Sequence, residues 1–332
     1  MAEKRVRLGF CDLAPDWDAD DNYFTRVLRR AGWLVEMATR PQDDPEYVIC
    51  CGFGKSYLDY PCARIQYSGE DSWPDLNVYD YSIGFPLLCY GDRYLRLPLY
   101  AMRDSWTLAQ EKHKLPDSEF LNRKKFCNFV VSNDFSAERN AFFEEFSARH
   151  AIDSGGAYRN NIGGPVKDKL AFQRQYRFSI AYENSRDPGY VTEKIVDAFA
   201  AGTVPIYWGD PLIKEEFNPD SFLCADDYPD NAALIDAIEA IDRDEEAYLR
   251  LCRAPVVTPE RRAARYADDR LCLEFLENIF RKGPQKAICR NRSCWGGIYE
   301  NDLRYYRDLA EQAKRPKGLL ARLGLQIGRA HV

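Results

Sequence analysis

The chain has 332 residues, 30% of them charged and 45% hydrophobic, an ordinary soluble composition with material for two domains that each bury a core. Forty-six Lys and Arg against 52 Asp and Glu give a net charge of −6, which excludes a polyanion binder and, with it, a nucleic-acid partner for the chain as a whole. The 11 cysteines are scattered without a repeated CxxC, and the start MAEKRVRLGFCDL lacks a signal-peptide core, so a cytoplasmic protein with reduced thiols and no membrane span is expected.

In chain order, a strand is predicted over 6–13, a helix over 21–31 that stops at Gly32, and strands over 33–37, 47–53 and 64–68. This alternation suggests a parallel sheet with helices on its faces. Residues 104–122 are polar, contain Pro116 and show no strong periodicity, so they read as a linker. A buried-type strand follows over 125–133, then a helix over 137–150 with Phe142, Phe143 and Phe146 at helical spacing. A glycine-rich loop, DSGGAYRNNIGG, leads to a helix near 166–175, and further helices fit 232–241 and 268–280. The result is an α/β chain of two Rossmann-like halves with a cleft between them.

The stretch YENSRDPGYVTEKIVDAFAAGTVPIYWGD, residues 182–210, is a complete unit of strand end, loop, helix and strand. Thr192 is placed to cap the helix, with Glu193 and Lys194 in its first turn and Gly202 just past its end. Glu193 complements the positive helix terminus, whereas Lys194 opposes it. Either an anion is brought to Lys194, as at a phosphate site, or its ammonium snorkels into solvent. The loop also lies where open α/β sheets bind ligands, beyond the carboxyl ends of strands. Arg159, in the flexible glycine-rich loop, is a second candidate phosphate ligand, or an ordinary solvated arginine.

The same stretch, together with KKFCNFVVSN, SAERNAFFEEF, DSGGAYRNNIGG and QYRFSIAYENS, resembles the α-1,3/4-fucosyltransferases, glycosyltransferase family 10. IQYSGEDSWPDLNVYDYSIGF and RYLRLPLY extend the resemblance into the N-terminal half, over roughly residues 64–301. The bacterial, cytoplasmic branch is the one resembled. The resemblance implies a GT-B architecture: an acceptor-binding domain over 1–121 facing a GDP-fucose-binding domain over 122–300, then a helical and basic tail over 301–326. It implies an inverting transfer of fucose from GDP-β-L-fucose to the GlcNAc of an N-acetyllactosamine-type or O-antigen acceptor. An α-1,4 or dual linkage, or another GDP-sugar donor, stays open, since acceptor preference is assigned to loops such as 73–77 and 100–106.

Such a transfer needs a base for the acceptor hydroxyl, positive charge for the departing GDP, and a sheltered site. The resemblance carries the base to Glu70 in YSGED, with the adjacent Asp71 as the alternative. It carries Arg159 and Lys194 over as diphosphate ligands and Glu193 as a sugar or ribose contact. Tyr190 and Asn184 are placed near donor atoms; Glu183, which precedes Asn184, and Asn160, which follows Arg159, rank below them. The histidines, His113, His150 and His331, suggest no rival base or triad. No cofactor is required on this reading: GDP-fucose is a co-substrate, and DWDAD (16–20) and ADD (225–227) resemble metal-binding DxD sites only superficially. A metal-independent enzyme is expected, at most mildly stimulated by Mn2+ or Mg2+. In the tail, NDLRYYRDLAEQA is a single unit without the tandem heptads of the resembled bacterial enzymes, which puts their dimerisation in doubt here. The basic, leucine-rich KRPKGLLARLGLQ is a candidate for peripheral contact with the inner face of the membrane. IGRAHV (327–332) resembles translated read-through and is expected not to be native. Competing expectations are a non-catalytic glycan or nucleotide binder, and a dehydrogenase, for which no dinucleotide fingerprint is present.

Overall fold

The computed structural model describes residues 4–15, 17–291 and 293–314. The first half builds β1 (Arg5–Cys11), α1 (Tyr23–Arg30), β2 (Leu34–Ala38), β3 (Tyr47–Cys51), β4 (Ala63–Tyr67), β5 (Tyr81–Gly84) and β6 (Tyr94–Arg96). The strands form one parallel six-stranded sheet in the order β2-β1-β3-β4-β5-β6. Helix α1 starts where Asn22 and Thr25 cap each other, and it buries Phe24, Val27 and Leu28. β5 and β6 escape the sequence reading because each is too short for a periodic signal.

Residues 104–122 are not an open linker. They hold α2 (Ser105–Gln110) and α3 (Asp117–Leu121), with Trp106, Ala109 and Phe120 buried. One or two helical turns cannot display an apolar stripe, so the segment reads as polar although it is packed. Lys112 is buried there: its ammonium donates to the Leu251 carbonyl at 3.0 Å and lies 5.3 Å from the centre of the Phe199 ring.

The second half runs β7 (Lys125–Phe129), α4 (Ala137–Arg149), β8 (Ile152–Ser154), α5 (Lys169–Gln173), β9 (Tyr176–Tyr182), α6 (Glu193–Ala200), β10 (Val204–Trp208), α7 (Ile213–Glu216) and β11 (Leu223–Cys224). These strands form a parallel five-stranded sheet, β11-β10-β9-β7-β8, in which Phe178 to Tyr182 of β9 pair with Val204 to Trp208 of β10. Then follow α8 (Asn231–Arg243), α9 (Glu245–Arg253), α10 (Arg270–Arg281) and α11 (Cys294–Lys314). The last two return to the first half. The Phe280 ring lies 4.6 Å from Tyr47 and 5.1 Å from Trp33. Arg290 pairs with Asp80, both fully buried, and Arg64 Nη2 lies 3.1 Å from Glu300 Oε1.

The two sheets are locked by a buried network. Arg96, at the end of β6, donates to Glu216 Oε1 of α7 at 3.0 Å, to the Tyr266 hydroxyl at 3.0 Å and to the Gly189 carbonyl at 3.0 Å. The Tyr100 hydroxyl donates to the same Glu216 oxygen at 2.5 Å. Gly189 has φ +91°, and a Cβ there would sit 2.7 Å from the Phe85 carbonyl oxygen, so the second half's loop presses backbone to backbone on the first half.

Removing one partner of a buried ion pair leaves the other charge uncompensated. Glu216→Ala is therefore expected to destabilise the protein by about 3–5 kcal/mol, read as a lowered urea midpoint.

Candidate active site

Strand β9 stops at Tyr182, and α6 begins at Glu193 on the same side of the sheet. Glu183, the first residue past the strand, is completely buried. Its carboxylate accepts the Thr192 backbone N–H at 2.8 Å, the Thr192 hydroxyl at 2.7 Å and the Lys194 ammonium at 2.9 Å. Thr192 occupies the N-cap position, but its side chain caps no helical N–H. Its hydroxyl instead donates to Glu183 and accepts from the Lys194 ammonium at 2.9 Å, two charge-assisted bonds. The anion that offsets Lys194 thus comes from within the chain, and the ammonium does not snorkel away: the side chain is only 17% exposed.

Electrostatics around this helix end are tightly balanced. Burial lowers the Lys194 pKa, but Glu183 and Glu193 outweigh it and hold the ammonium above the ordinary lysine range. Burial raises the Glu193 carboxyl, but Lys194 and Lys169 more than offset this and bring it down to about 2.

A cavity of about 330 Å³ opens over this helix end, between the two sheets. Gly69 and Glu70 line it from the first half, the 130–133 loop and Arg139 from behind β7, Lys169 from α5, and Asn184, Tyr190, Thr192, Glu193 and Lys194 from the β9–α6 segment. The Tyr190 ring is buried against Phe85 at 4.8 Å, and its hydroxyl reaches Asn184 Oδ1 at 2.8 Å and Glu70 Oε2 at 3.3 Å. Ser68 fixes the Glu70 loop: its hydroxyl donates to the Glu70 carbonyl at 2.9 Å and takes the Glu70 N–H at 3.3 Å. Glu70 itself is exposed at the rim, its carboxylate held on one oxygen by the Tyr190 hydroxyl. Asp71 points elsewhere. It accepts the Ser185 hydroxyl at 2.6 Å, and burial raises its pKa against that bond.

Arg159 and Asn160 are not brought to the cavity. Arg159 is exposed, pairs with Glu144 and lies 5.6 Å from the centre of the Tyr158 ring. Asn160 braces its own loop, donating to the Gly156 carbonyl at 2.8 Å and accepting the Gly164 N–H at 2.8 Å. Gly155 and Gly156 are required by packing: a Cβ on Gly156 would lie 1.8 Å from the Val131 carbonyl oxygen, and one on Gly155 would lie 2.8 Å from the Phe172 ring. The arginine that does line the cavity is Arg139, which the sequence reading passed over. It is 1% exposed, Nη2 is held by the Asn133 carbonyl at 2.8 Å and by Asn133 Oδ1 at 2.9 Å, and Nε has no partner among the described residues. Arg139 shares the apolar stripe of Phe142, Phe143 and Phe146 on α4, a placement that marks it only once the stripe is seen to end at the cavity. Lys169, held by Asp197 Oδ2 at 2.8 Å, was missed as well.

The acidic clusters are engaged in ion pairs. Arg186 bridges both Asp226 oxygens at 2.9 Å, Lys214 pairs with Asp227, and Asp20 pairs with Arg29; Asp16 lies outside the described residues. No group of three or more His, Cys, Asp or Glu among the described residues is arranged to hold a metal.

Residues 120–254 match the family model "Glycosyltransferase family 10 (fucosyltransferase) C-term", and residues 8–103 match the alpha-(1,3)-fucosyltransferase FucT N-terminal domain. The chain is 35% identical over 293 residues to alpha-(1,3)-fucosyltransferase FucT of Helicobacter pylori, covering 78% of this chain and 59% of that protein. It is 35% identical over 130 residues to alpha-(1,3)-fucosyltransferase B of Drosophila melanogaster, covering 35% of this chain and 29% of that one. The chain therefore spans well under two thirds of the length of these relatives. The fold is similar to a crystal structure of an alpha1,3-fucosyltransferase with GDP-fucose, with TM-score 0.71 and 26% identity over 84% of this chain and 91% of that one. Anabaena HepE in complex with UDP and glucose matches with TM-score 0.52 at 7% identity, over 82% and 100% of the two chains, a likeness of fold alone. The two parallel sheets across a cleft are a GT-B architecture.

Because the folded pKa of Glu193 lies below its usual value of 4.5, its ionised form stabilises the protein above that value. That contribution is lost as pH falls from about 4.5 towards 2. Glu193→Gln is expected to flatten the stability–pH curve across this window, as followed by urea unfolding at stepped pH.

Proposed function

The chain belongs to glycosyltransferase family 10, the fucosyltransferases, and on that premise we propose that it is an inverting α-1,3-fucosyltransferase. It moves fucose from GDP-β-L-fucose to the GlcNAc hydroxyl of an N-acetyllactosamine-type acceptor. The observation that carries this reading is one cavity with an exposed carboxylate, Glu70, on the first half and a cluster of cations, Arg139, Lys169 and Lys194, on the second.

In the proposed step, Glu70 takes the acceptor hydroxyl proton as that oxygen forms its bond to the anomeric carbon. The bond from the anomeric carbon to the β-phosphate oxygen breaks on the opposite face, and its electron pair leaves with GDP. Arg139, Lys194 and the N-terminus of α6 face the diphosphate and stabilise the charge that develops there. Glu193 is assigned to the sugar or ribose hydroxyls, while Asn184 and Tyr190 order the donor side of the cavity. The leaving-group charge is assigned to these side chains without a divalent ion. Asp71 is not assigned the base role, because its carboxylate is committed to Ser185. Arg159 is replaced by Arg139 as the diphosphate arginine, since Arg159 is paired with Glu144.

Acceptor selection is assigned to residues 73–77, where Trp73 is 62% exposed. The 100–106 segment is a weaker candidate than its sequence suggests, because Tyr100 and Trp106 are core residues packed on Phe217. No helix among the described residues is long and apolar enough to cross a membrane. The proposed peripheral contact with the inner membrane face rests on 314–326, of which 315–326 lie, like 327–332, outside the described residues.

GDP release from GDP-fucose, with and without N-acetyllactosamine, tests the reading. Wild type is expected to release GDP in an acceptor-dependent way, and Glu70→Gln to lower that rate by about 10²–10⁴-fold while GDP binding persists. Acceptor-independent, slow release by wild type would overturn the donor–acceptor assignment, and a fully active Glu70→Gln would overturn the base. Arg139→Met is expected to weaken GDP binding by about 10–100-fold, the loss of charge-assisted hydrogen bonds. Arg159→Met should stay within about two-fold of wild type, both read by calorimetric titration.

A further inference from the structure

We propose that Glu183 is a positioning residue: its buried carboxylate, acting through Thr192 and Lys194, fixes the start of α6 and aims one N–H of the Lys194 ammonium at the diphosphate of the donor. The inference rests on the assignment of Lys194 to the diphosphate in the proposed function.

An ammonium has three N–H groups in tetrahedral directions. One is taken by Glu183 Oε2 at 2.9 Å and one by Thr192 Oγ1 at 2.9 Å. Glu193 stands 4.0 Å from the ammonium, beyond hydrogen-bond reach. Lys194 lines the cavity, so its third N–H is left for a ligand there. Glu183 does not line the cavity and touches nothing that enters it. Its own freedom is closed off from behind, where a Cβ on Gly209 would lie 2.6 Å from Glu183 Cγ. The carboxylate thus holds one end of a rigid relay from strand β9 to helix α6 to the cavity.

Simple charge counting gives the opposite expectation. A carboxylate placed directly under a phosphate site repels the phosphate, so its removal should tighten anion binding. Its presence is accounted for when the order it imposes, and the protonation it secures on Lys194, outweigh that repulsion. The groups that face the ammonium are Glu183 just past β9, Glu193 from α6 and Arg139 from α4. Beside Glu183 and Glu193 lie the Tyr190 and Tyr207 phenols and the Lys169 ammonium. Of these, the Glu183 carboxylate, in direct contact with the ammonium, does most to keep Lys194 charged despite burial.

The test is calorimetric GDP binding from roughly pH 7 to above the ordinary lysine pKa of about 10.4, for wild type, Glu183→Gln, Lys194→Met and the double variant. Glu183→Gln is expected to bind GDP at least about 10-fold more weakly at neutral pH. Its alkaline loss of affinity should begin about one pH unit lower or more. On the Lys194→Met background it should have no further effect. Unchanged or tighter binding overturns the proposal, as does a lowered Tm with an alkaline limb that does not move, because Glu183 is then only a helix brace. If Glu183→Gln does not fold, Glu183→Asp, which keeps the charge but withdraws it by one methylene, must show the same weakening of GDP binding. A second readout is independent of the donor assignment: the 13Cε signal of Lys194 in ligand-free protein, titrated with alkali. Its midpoint must fall by about one pH unit or more in Glu183→Gln or, failing that, fall in Glu183→Asp, and an unmoved midpoint overturns the proposal. If wild type binds no GDP but this midpoint does fall, the diphosphate assignment fails and the relay through Lys194 stands.

Discussion

A carboxylate sealed from water must be met by donors, and the cavity is organised around one that is. Glu183 follows the central strand of the second sheet with no exposed surface, and a main-chain N–H, a hydroxyl and an ammonium converge on it. Those donors belong to the first turn of α6, so satisfying one buried charge fixes where the helix begins and where its lysine stands. An isolated ionised carboxylate in that position would carry a penalty of several kcal/mol. The loop from 184 to 191 is therefore held at both ends, by β9 and by α6, and its polar side chains have few alternatives.

A second buried charge pair acts on the same loop from the other half. Arg96 is bound to Glu216 and, through a different nitrogen, to the carbonyl of Gly189. The residue after that glycine is Tyr190, whose hydroxyl stands between Asn184 and Glu70. The rim carboxylate of one sheet and the cationic wall of the other are thus referred to a common segment of backbone. On the proposed reading, in which Glu70 is the base and the cations receive the leaving group, this shared segment would hold the two at a fixed separation.

Much of the second half was legible from its sequence because its signals are local. The strand, loop, helix and strand of 182–210 fall within one continuous stretch, and Glu193 and Lys194 stand in the first helical turn as their spacing requires. Glycines beside Arg159 read as a ligand loop; in the fold Gly156 presses the loop onto the backbone of Val131, just past β7, and the arginine pairs with Glu144 at the surface. Arg139 was passed over for the converse reason. It reads as one charge on a helix of phenylalanines, and a lone polar residue on an apolar stripe becomes a signal only when the stripe is known to end at a cavity. β5, β6, α2 and α3 were missed because elements of one or two turns, or of three or four strand residues, carry no measurable period.

By itself the sequence determined the parallel α/β class, the strand–helix unit that carries Lys194 and Glu193, and the SGED turn that carries Glu70, since each depends on neighbours a few residues apart. Only the tertiary structure decided which charges meet. Glu183 reaches Lys194 across a turn of the chain, Arg96 reaches Glu216 between the sheets, and Arg139 rather than Arg159 enters the cavity. The physical reason is that a buried charge takes its partner from whatever the packing brings within about 3 Å, and sequence separation has no part in that choice.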